Sequence, residues 1–193
     1  MTISEKRLEF CFPDHYTVLK FDDRPFYKKC YNHVQGGKGV DIVACDKDNY
    51  HIIEVKDCSQ SASGEDKWRR AYHGSENMNT LATEIALKVA HTCACLCGAA
   101  THGKRNKDAL EYLDAALGLQ DQRIAETKKK LYVLLYLEGD FSCQTRSNKM
   151  ILGQIREKIK PQLKWLNCTV DVVSTALHHS RDFTVSLTKP KSL

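Results

Sequence analysis

Asp41, Glu54 and Lys56 fall within one stretch, VDIVACDKDNYHIIEVKD at residues 40–57, that otherwise has the make-up of a buried β-hairpin. Two carboxylates and an amine gathered there could bind a divalent cation and act on a phosphate. Hard ions such as Mg²⁺ take oxygen ligands and keep several waters. A lysine beside such an ion can orient an attacking water or stabilise negative charge building up on a phosphate. The turn centres on Lys47 and Asp48. If Asp46 faces Asn49, Asp41 lies directly opposite Glu54, with β-carbons ~4.5–5.5 Å apart. Lys56 is two residues beyond Glu54 and points to the same face. The other face carries Val40, Ile42, Ala44, Ile53 and Val55, which can pack on a core. Like charges set opposite one another are unfavourable unless something offsets them, and a divalent cation is the natural candidate. An amphipathic hairpin with a solvated polar side is the plainer reading. It accounts for one acid and one lysine, but less well for Val43 and Ile52 on that same face.

The elements that must hold this hairpin can be read around it. SEKRLEF near the N-terminus fits a short helix or an edge strand. Residues 16–23 alternate and are rich in β-formers, which predicts a strand. RPFYKKCYNHV has Pro25 near its start, as in the first turn of a helix, and QGGKG reads as a turn. The hairpin strands are expected at about 40–46 and 50–56. Residues 58–76 are polar, with two glycines, and read as a loop. Met78, Leu81, Ile85, Val89 and Cys93 recur at helical spacing, which predicts a long helix over 78–96. NKDALEYLDAALG predicts a second helix, closed by Gly118. KLYVLLYLEG is too apolar to be half exposed and reads as a central buried strand. Residues 147–166 read as helix with a break near Pro161, and CTVDVVS as a last strand. The tail from His178 is polar and is expected to be loosely held. The fold class is α/β in the mixed α+β sense: a central mixed sheet flanked by helices.

This pattern resembles the PD-(D/E)XK nuclease superfamily. In that family one strand starts with a metal-binding Asp, the next carries an acid-x-Lys, and a helix and a further strand follow. Here GVDIV supplies Asp41, IIEVK supplies Glu54 and Lys56, residues 77–96 the helix, and KLYVLLYLEG the strand. The resemblance covers roughly residues 16–138 and implies a restriction-endonuclease-like core. It implies that Asp41 and Glu54 bind the metal, that the Val55 carbonyl adds a ligand, and that Lys56 assists the nucleophile. Two departures stand out. Val40 replaces the proline that names the motif, and RPFYKKCYNHV lacks the acid that many members carry on an early helix. Glu9, Asp22 and Asp23 are the candidates for that further ligand. The resemblance thus implies a Mg²⁺- or Mn²⁺-dependent endonuclease acting on nucleic acid, DNA more than RNA. The alternative is a catalytically silent nuclease-like subunit that binds nucleic acid or a partner protein. Minimal nucleases of this kind work as homodimers or beside a larger protein, and roles in defence or repair follow by analogy alone.

The bulk numbers agree with one domain. A chain of 193 residues, 42% apolar and 27% charged, suits a single globular unit over 1–193, with an extension at about 147–177 and a tail at 178–193. A net charge of +5 is mild. Basic residues cluster at KWRR (67–70), GKRNK (103–107) and KKK (128–130), so Arg69, Arg70, Lys104 and Arg105 are candidates to meet nucleic acid. Each cluster alone reads as solvated surface. Nine cysteines without a secretion signal predict reduced, mostly buried thiols rather than a disulfide framework. In CACLC, Cys93 and Cys97 share a helix face while Cys95 points elsewhere, which is not a zinc-knuckle spacing. His73, His91 and the pair at 178–179 read as structural or solvated. Glu84 and Lys88, one turn apart, read first as a surface ion pair. The N-terminus lacks an apolar run of signal-peptide length, and no stretch reads as a bilayer span. The expectation is a cytoplasmic protein without a membrane role.

Overall fold

The computed structural model describes residues 1–58, 75–142, 145–178 and 180–188. Its centre is a five-stranded mixed sheet in the order β3-β4-β5-β6-β7: β3 (Thr17–Lys20), β4 (Ile42–Cys45), β5 (Asn49–Asp57), β6 (Lys130–Glu138) and β7 (Thr169–Val173). β3, β4 and β5 pair antiparallel, while β6 and β7 join in parallel. The hairpin register is as expected: Ile42 faces Ile53, Cys45 faces Tyr50, and the Asp46 amide donates to the Asn49 carbonyl.

The long crossover between β5 and β6 contains α1 (Ser75–His102), α2 (Lys107–Leu119) and α3 (Gln122–Ala125); α4 (Asn148–Ile159) leads from β6 towards β7. α1 is longer at both ends than its periodic core. α2 starts at an Asn106 cap, whose side chain accepts from the Asp108 amide. Gly118 lies inside α2 rather than closing it. A β-carbon there would press to 3.1 Å on Cys45 Sγ and on the Tyr50 ring, so glycine allows the helix to approach the sheet. The break at Pro161 is real: α4 passes into a 3₁₀ turn over Lys160–Leu163. Residues 25–31 are helical as expected, and widen into a π-helical turn over Tyr27–Tyr31.

Three layers result. Val43, Ile52, Val133, Leu135 and Leu137 pack with Leu81, Ile85, Val89 and Tyr112 of the helices. Ile42, Ala44, Ile53, Val55, Leu134 and Tyr136 pack the other way, against a small sheet. Strands buried on both faces have no solvated side, so their apolar runs are near-continuous. Val40 departs from the expected alternation and joins the helix-side core.

The small sheet was legible only in part: SEKRLEF is strand rather than helix, interrupted by a turn at Lys6 and Arg7, while the C-terminal strand was not legible. The sheet joins β1 (Thr2–Glu5), β2 (Leu8–Cys11) and β8 (Thr184–Leu187) in the order β1-β2-β8. The tail is therefore held at least to Leu187: β8 pairs antiparallel with β2, and Phe183 is buried against Phe12. A strand with exposed and half-exposed residues lacks the apolar alternation that marks strands in a sequence.

By length and composition, Glu76–Arg105 is apolar enough to cross a bilayer. Its buried face nevertheless packs on the sheet, as the core helix of a globular unit does.

Candidate active site

β4 begins at Ile42, one residue after Asp41. The hairpin ladder ends at Ile42–Ile53, yet β5 runs on to Asp57 along β6. The two strands part at this point. The next amide on β5, that of Val55, donates instead to Asp41 Oδ2 at 2.6 Å. Side chains hold the departing chain in place. The Lys38 amide donates to His91 Nδ1, the Gly39 amide to the Tyr27 hydroxyl, and the Val40 amide to Thr92 Oγ1. Gly39 is obligatory, because a β-carbon there would lie 2.6 Å from the Phe21 ring. The Asp41 carbonyl then accepts from the Phe21 amide.

Asp41 and Glu54 share the helix face of the sheet, with Val43 and Ile52. That face is covered by α1, which is why apolar residues accompany the acids. Asp41 is 6% exposed and Glu54 3%, so the solvated-hairpin reading fails. α1 contacts Glu54 and Lys56 of β5. Lys88 Nζ donates to Glu54 Oε1, and Lys56 Nζ donates to Glu84 Oε1 at 2.9 Å. Glu84 and Lys88 are thus not a simple surface pair with each other: each reaches across to the strand. Among the described residues, buried Glu54 Oε2 has no hydrogen-bond partner.

Two carboxylates and one close lysine leave a surplus negative charge in a poorly solvated place. Burial, and next the Asp41 charge, push the Glu54 carboxyl up to about 8 against the pull of Lys88. Burial also raises Asp41, opposed by the Val55 amide. Burial works against the Lys88 charge, but Glu54 and Asp41 outweigh it and hold the ammonium above its ordinary range. The excess proton therefore belongs to the acid pair, not to the lysine.

The three further acids separate clearly. Asp22 follows Phe21, whose amide is tied to Asp41. Burial, then Asp41, raise its carboxyl to about 6. Asp23 is exposed and pairs with Lys20 and Lys28. Glu9 lies on β2 in the small sheet. Glu5, which the sequence did not single out, also acts on Asp41 and Asp22 while pairing with Lys20. Among the described residues no three His, Cys, Asp or Glu side chains converge closely enough to cage a metal.

The basic clusters among the described residues are not brought to the site. Lys104 and Arg105 form a 3₁₀ turn beyond the end of α1. They are about 24 Å along the helix from Lys88, at 1.5 Å per residue. In the KKK cluster Lys129 is buried, beside Asp121 and over the Tyr50 ring, and is no solvated face. Arg69, Arg70, His73, the loop expected over 58–76 from residue 59 on, and His179 lie outside the described residues. Of the cysteines described, all are free thiols, and only Cys45, Cys58 and Cys95 are buried. Cys11, Cys30 and Cys97 are exposed, so burial is less general than expected.

A 79-residue alignment with cysteine–tRNA ligase of Neisseria meningitidis is 33% identical. It covers 29% of this chain and 11% of that enzyme, too short a piece to carry an activity with it. No solved structure matches the chain. A family model matches residues 24–186, nearly the whole span from the turn before Tyr27 to β8, and the chain belongs to that family of unknown function (DUF6661).

Proposed function

We propose that this protein is a metal-dependent nuclease that hydrolyses phosphodiester bonds in nucleic acid, DNA before RNA, with Asp41, Glu54 and Lys56 at its centre. One observation carries the reading: a buried acid pair stands where β4 leaves β5, and one oxygen of Glu54 has no partner. A restriction-endonuclease-like core is consistent with the antiparallel β4–β5 pair, the following helix α1 and the parallel strand β6.

The donors fit Mg²⁺ or Mn²⁺. Such ions need few protein ligands because they retain waters, which suits two carboxylates better than a closed cage would. Glu54 Oε2 and Asp41 would hold the ion. In an extended strand the N–H and C=O of one residue face the same edge. The Val55 carbonyl is therefore directed to the edge that β4 has vacated. Of Glu9, Asp22 and Asp23, Asp22 is the one whose carboxyl is raised in part by the Asp41 charge. When bound, the ion supplies a polarised phosphate and an activated water. Lys56 has its ammonium on the same face, 21% exposed, where it can hold a water or the developing charge. Lys104 and Arg105 would add to nucleic-acid attraction as outlying charge, and Arg69 and Arg70 by their charge. We place the protein in the cytoplasm, acting as a homodimer or beside a larger protein.

A second reading has its own support. Lys88 on Glu54 and Glu84 on Lys56 satisfy part of the site from within, as in a nuclease-like subunit that binds without cutting. Cleavage of DNA and RNA panels with Mg²⁺, Mn²⁺ or EDTA separates the two. Cutting that needs the cation supports catalysis. Binding without cutting in any cation supports the silent subunit.

A further inference from the structure

α1 borders a groove of about 630 Å³ whose lining includes Lys88 and Glu84, the two α1 side chains that reach Glu54 and Lys56. Gly36, Lys38, Thr80, Thr83, Leu87 and His91 form its walls, with Glu76, Glu84 and Lys88 also lining it. Lys88 thus belongs to two places. Its ammonium rests on Glu54 Oε1, and its side chain, 15% exposed, borders open space. It neutralises one carboxylate of two and leaves Glu54 Oε2 without a partner. A lysine is a point charge on a flexible four-carbon stem. It can leave Glu54 without any movement of the backbone, and Glu84 stands one turn away on the same helix.

We infer that Lys88 is a built-in counter-ion that holds a cation's place on Glu54, and that a divalent ion loads the site by displacing it into the groove. This rests on the metal-dependent reading above. Once displaced, the ammonium joins Lys38 at the groove wall, where both face an incoming phosphate backbone. Metal loading and nucleic-acid binding are then coupled through one side chain. Lys88 is a positioning residue: it governs when the acids accept an ion and contributes its own charge to substrate only afterwards.

The test is titration of Mn²⁺ into wild type, Lys88→Met and Lys88→Gln by calorimetry, with thermal melts of each in EDTA and in Mn²⁺. Removing the competing charge should tighten Mn²⁺ binding by about tenfold or more, the scale on which one opposite charge at close range shifts a neighbouring ionic equilibrium. Both variants should melt lower than wild type in EDTA, and Mn²⁺ should close the difference. On a non-cleavable phosphorothioate duplex, the wild type in Mn²⁺ should show a log–log salt slope steeper by about 0.9 than Lys88→Met, with no such difference in EDTA. Lys88→Gln keeps a donor for Glu54 and covers the case in which Lys88→Met fails to fold. The Lys88 ammonium ¹⁵N resonance of wild type, followed with diamagnetic Mg²⁺, needs no variant at all. Binding by the variants alone would overturn the inference, because no ion would then displace Lys88 in the wild type. Unchanged or weaker Mn²⁺ affinity in a folded variant, or an ammonium resonance unmoved at saturating Mg²⁺, overturns the inference and leaves the nuclease reading standing. Absence of Mn²⁺ binding by all three proteins overturns both.

Discussion

Asp41→Asn should stabilise the metal-free protein, and should do so only at neutral and alkaline pH. The substitution keeps the shape, and the Asn oxygen can still accept from the Val55 amide that Asp41 Oδ2 now holds. The surplus charge disappears, leaving Lys88 and Glu54 as a neutral pair. The size of the effect is bounded from two sides. Glu54 rises from 4.5 to about 8, worth about 5 kcal/mol at 1.36 kcal/mol per pH unit, but burial is the first cause and Asp41 the second, so 5 is a ceiling. Two charges ~5 Å apart at an effective dielectric of ~20 repel by about 3 kcal/mol. An exposed cross-strand pair would give only ~0.2–1 kcal/mol. We expect a gain of about 1–3 kcal/mol at pH 8, within these Coulombic bounds. The sign follows from linkage. A carboxyl raised in the fold contributes its full stability below pH 4.5, and that contribution is lost as pH rises through about 8. Wild type should therefore weaken between pH 5 and 8 relative to Asp41→Asn, and the two should nearly coincide at pH 5. Urea denaturation in EDTA at pH 5, 6.5 and 8 measures this. A mutant no more stable at pH 8, or one shifted equally at all three values, would refute the account of the charge pair. The same mutant should lose most of the Mn²⁺-dependent stabilisation seen in wild type, since binding to the native state alone sets that gain.

Lys56→Ala should abolish cleavage while leaving Mn²⁺ binding close to wild type by calorimetry; joint loss would mean that Lys56, through Glu84, holds the site's shape. Lys104→Ala and Arg105→Ala should each lower the salt slope of duplex binding by up to about 0.9. They should leave Mn²⁺-dependent melting unchanged, because they lie far along α1 from the acids; an altered melting shift would contradict that placement. His51 is 2% exposed, its Nε2 is 3.7 Å from Asp182, neither ring nitrogen is hydrogen-bonded among the described residues, and burial lowers it from 6.5 to about 4. Its neutral form supports the fold fully above pH 6.5, and that support is lost as pH falls towards 4. His51→Phe should remove an acid arm of at most about 3 kcal/mol between those values, and identical urea profiles for mutant and wild type would count against it.

The hairpin register was legible because a short turn and an alternating pattern leave few alternatives. The buried strand β6, the long helix and the break at Pro161 were legible for the same reason: each is a strong local signal. β8 was not, because its stability comes from β2 and the Phe12–Phe183 contact, partners more than 170 residues away in sequence. Glu84 and Lys88 show the limit most clearly. Four residues apart on a helix, they read as partners of one another, since local spacing says nothing about what lies across. The sheet decides otherwise. Where β4 leaves β5, the face that α1 covers contains two acids and Lys56, and a helix laid over such a face must answer with charges of its own. Lys88 meets Glu54, and Glu84 meets Lys56. The arrangement remains one positive charge short at the acid pair. Burial, and after it the Asp41 charge, raise the Glu54 carboxyl, and under the proposed function a divalent cation would take the place of the proton that this pair otherwise holds.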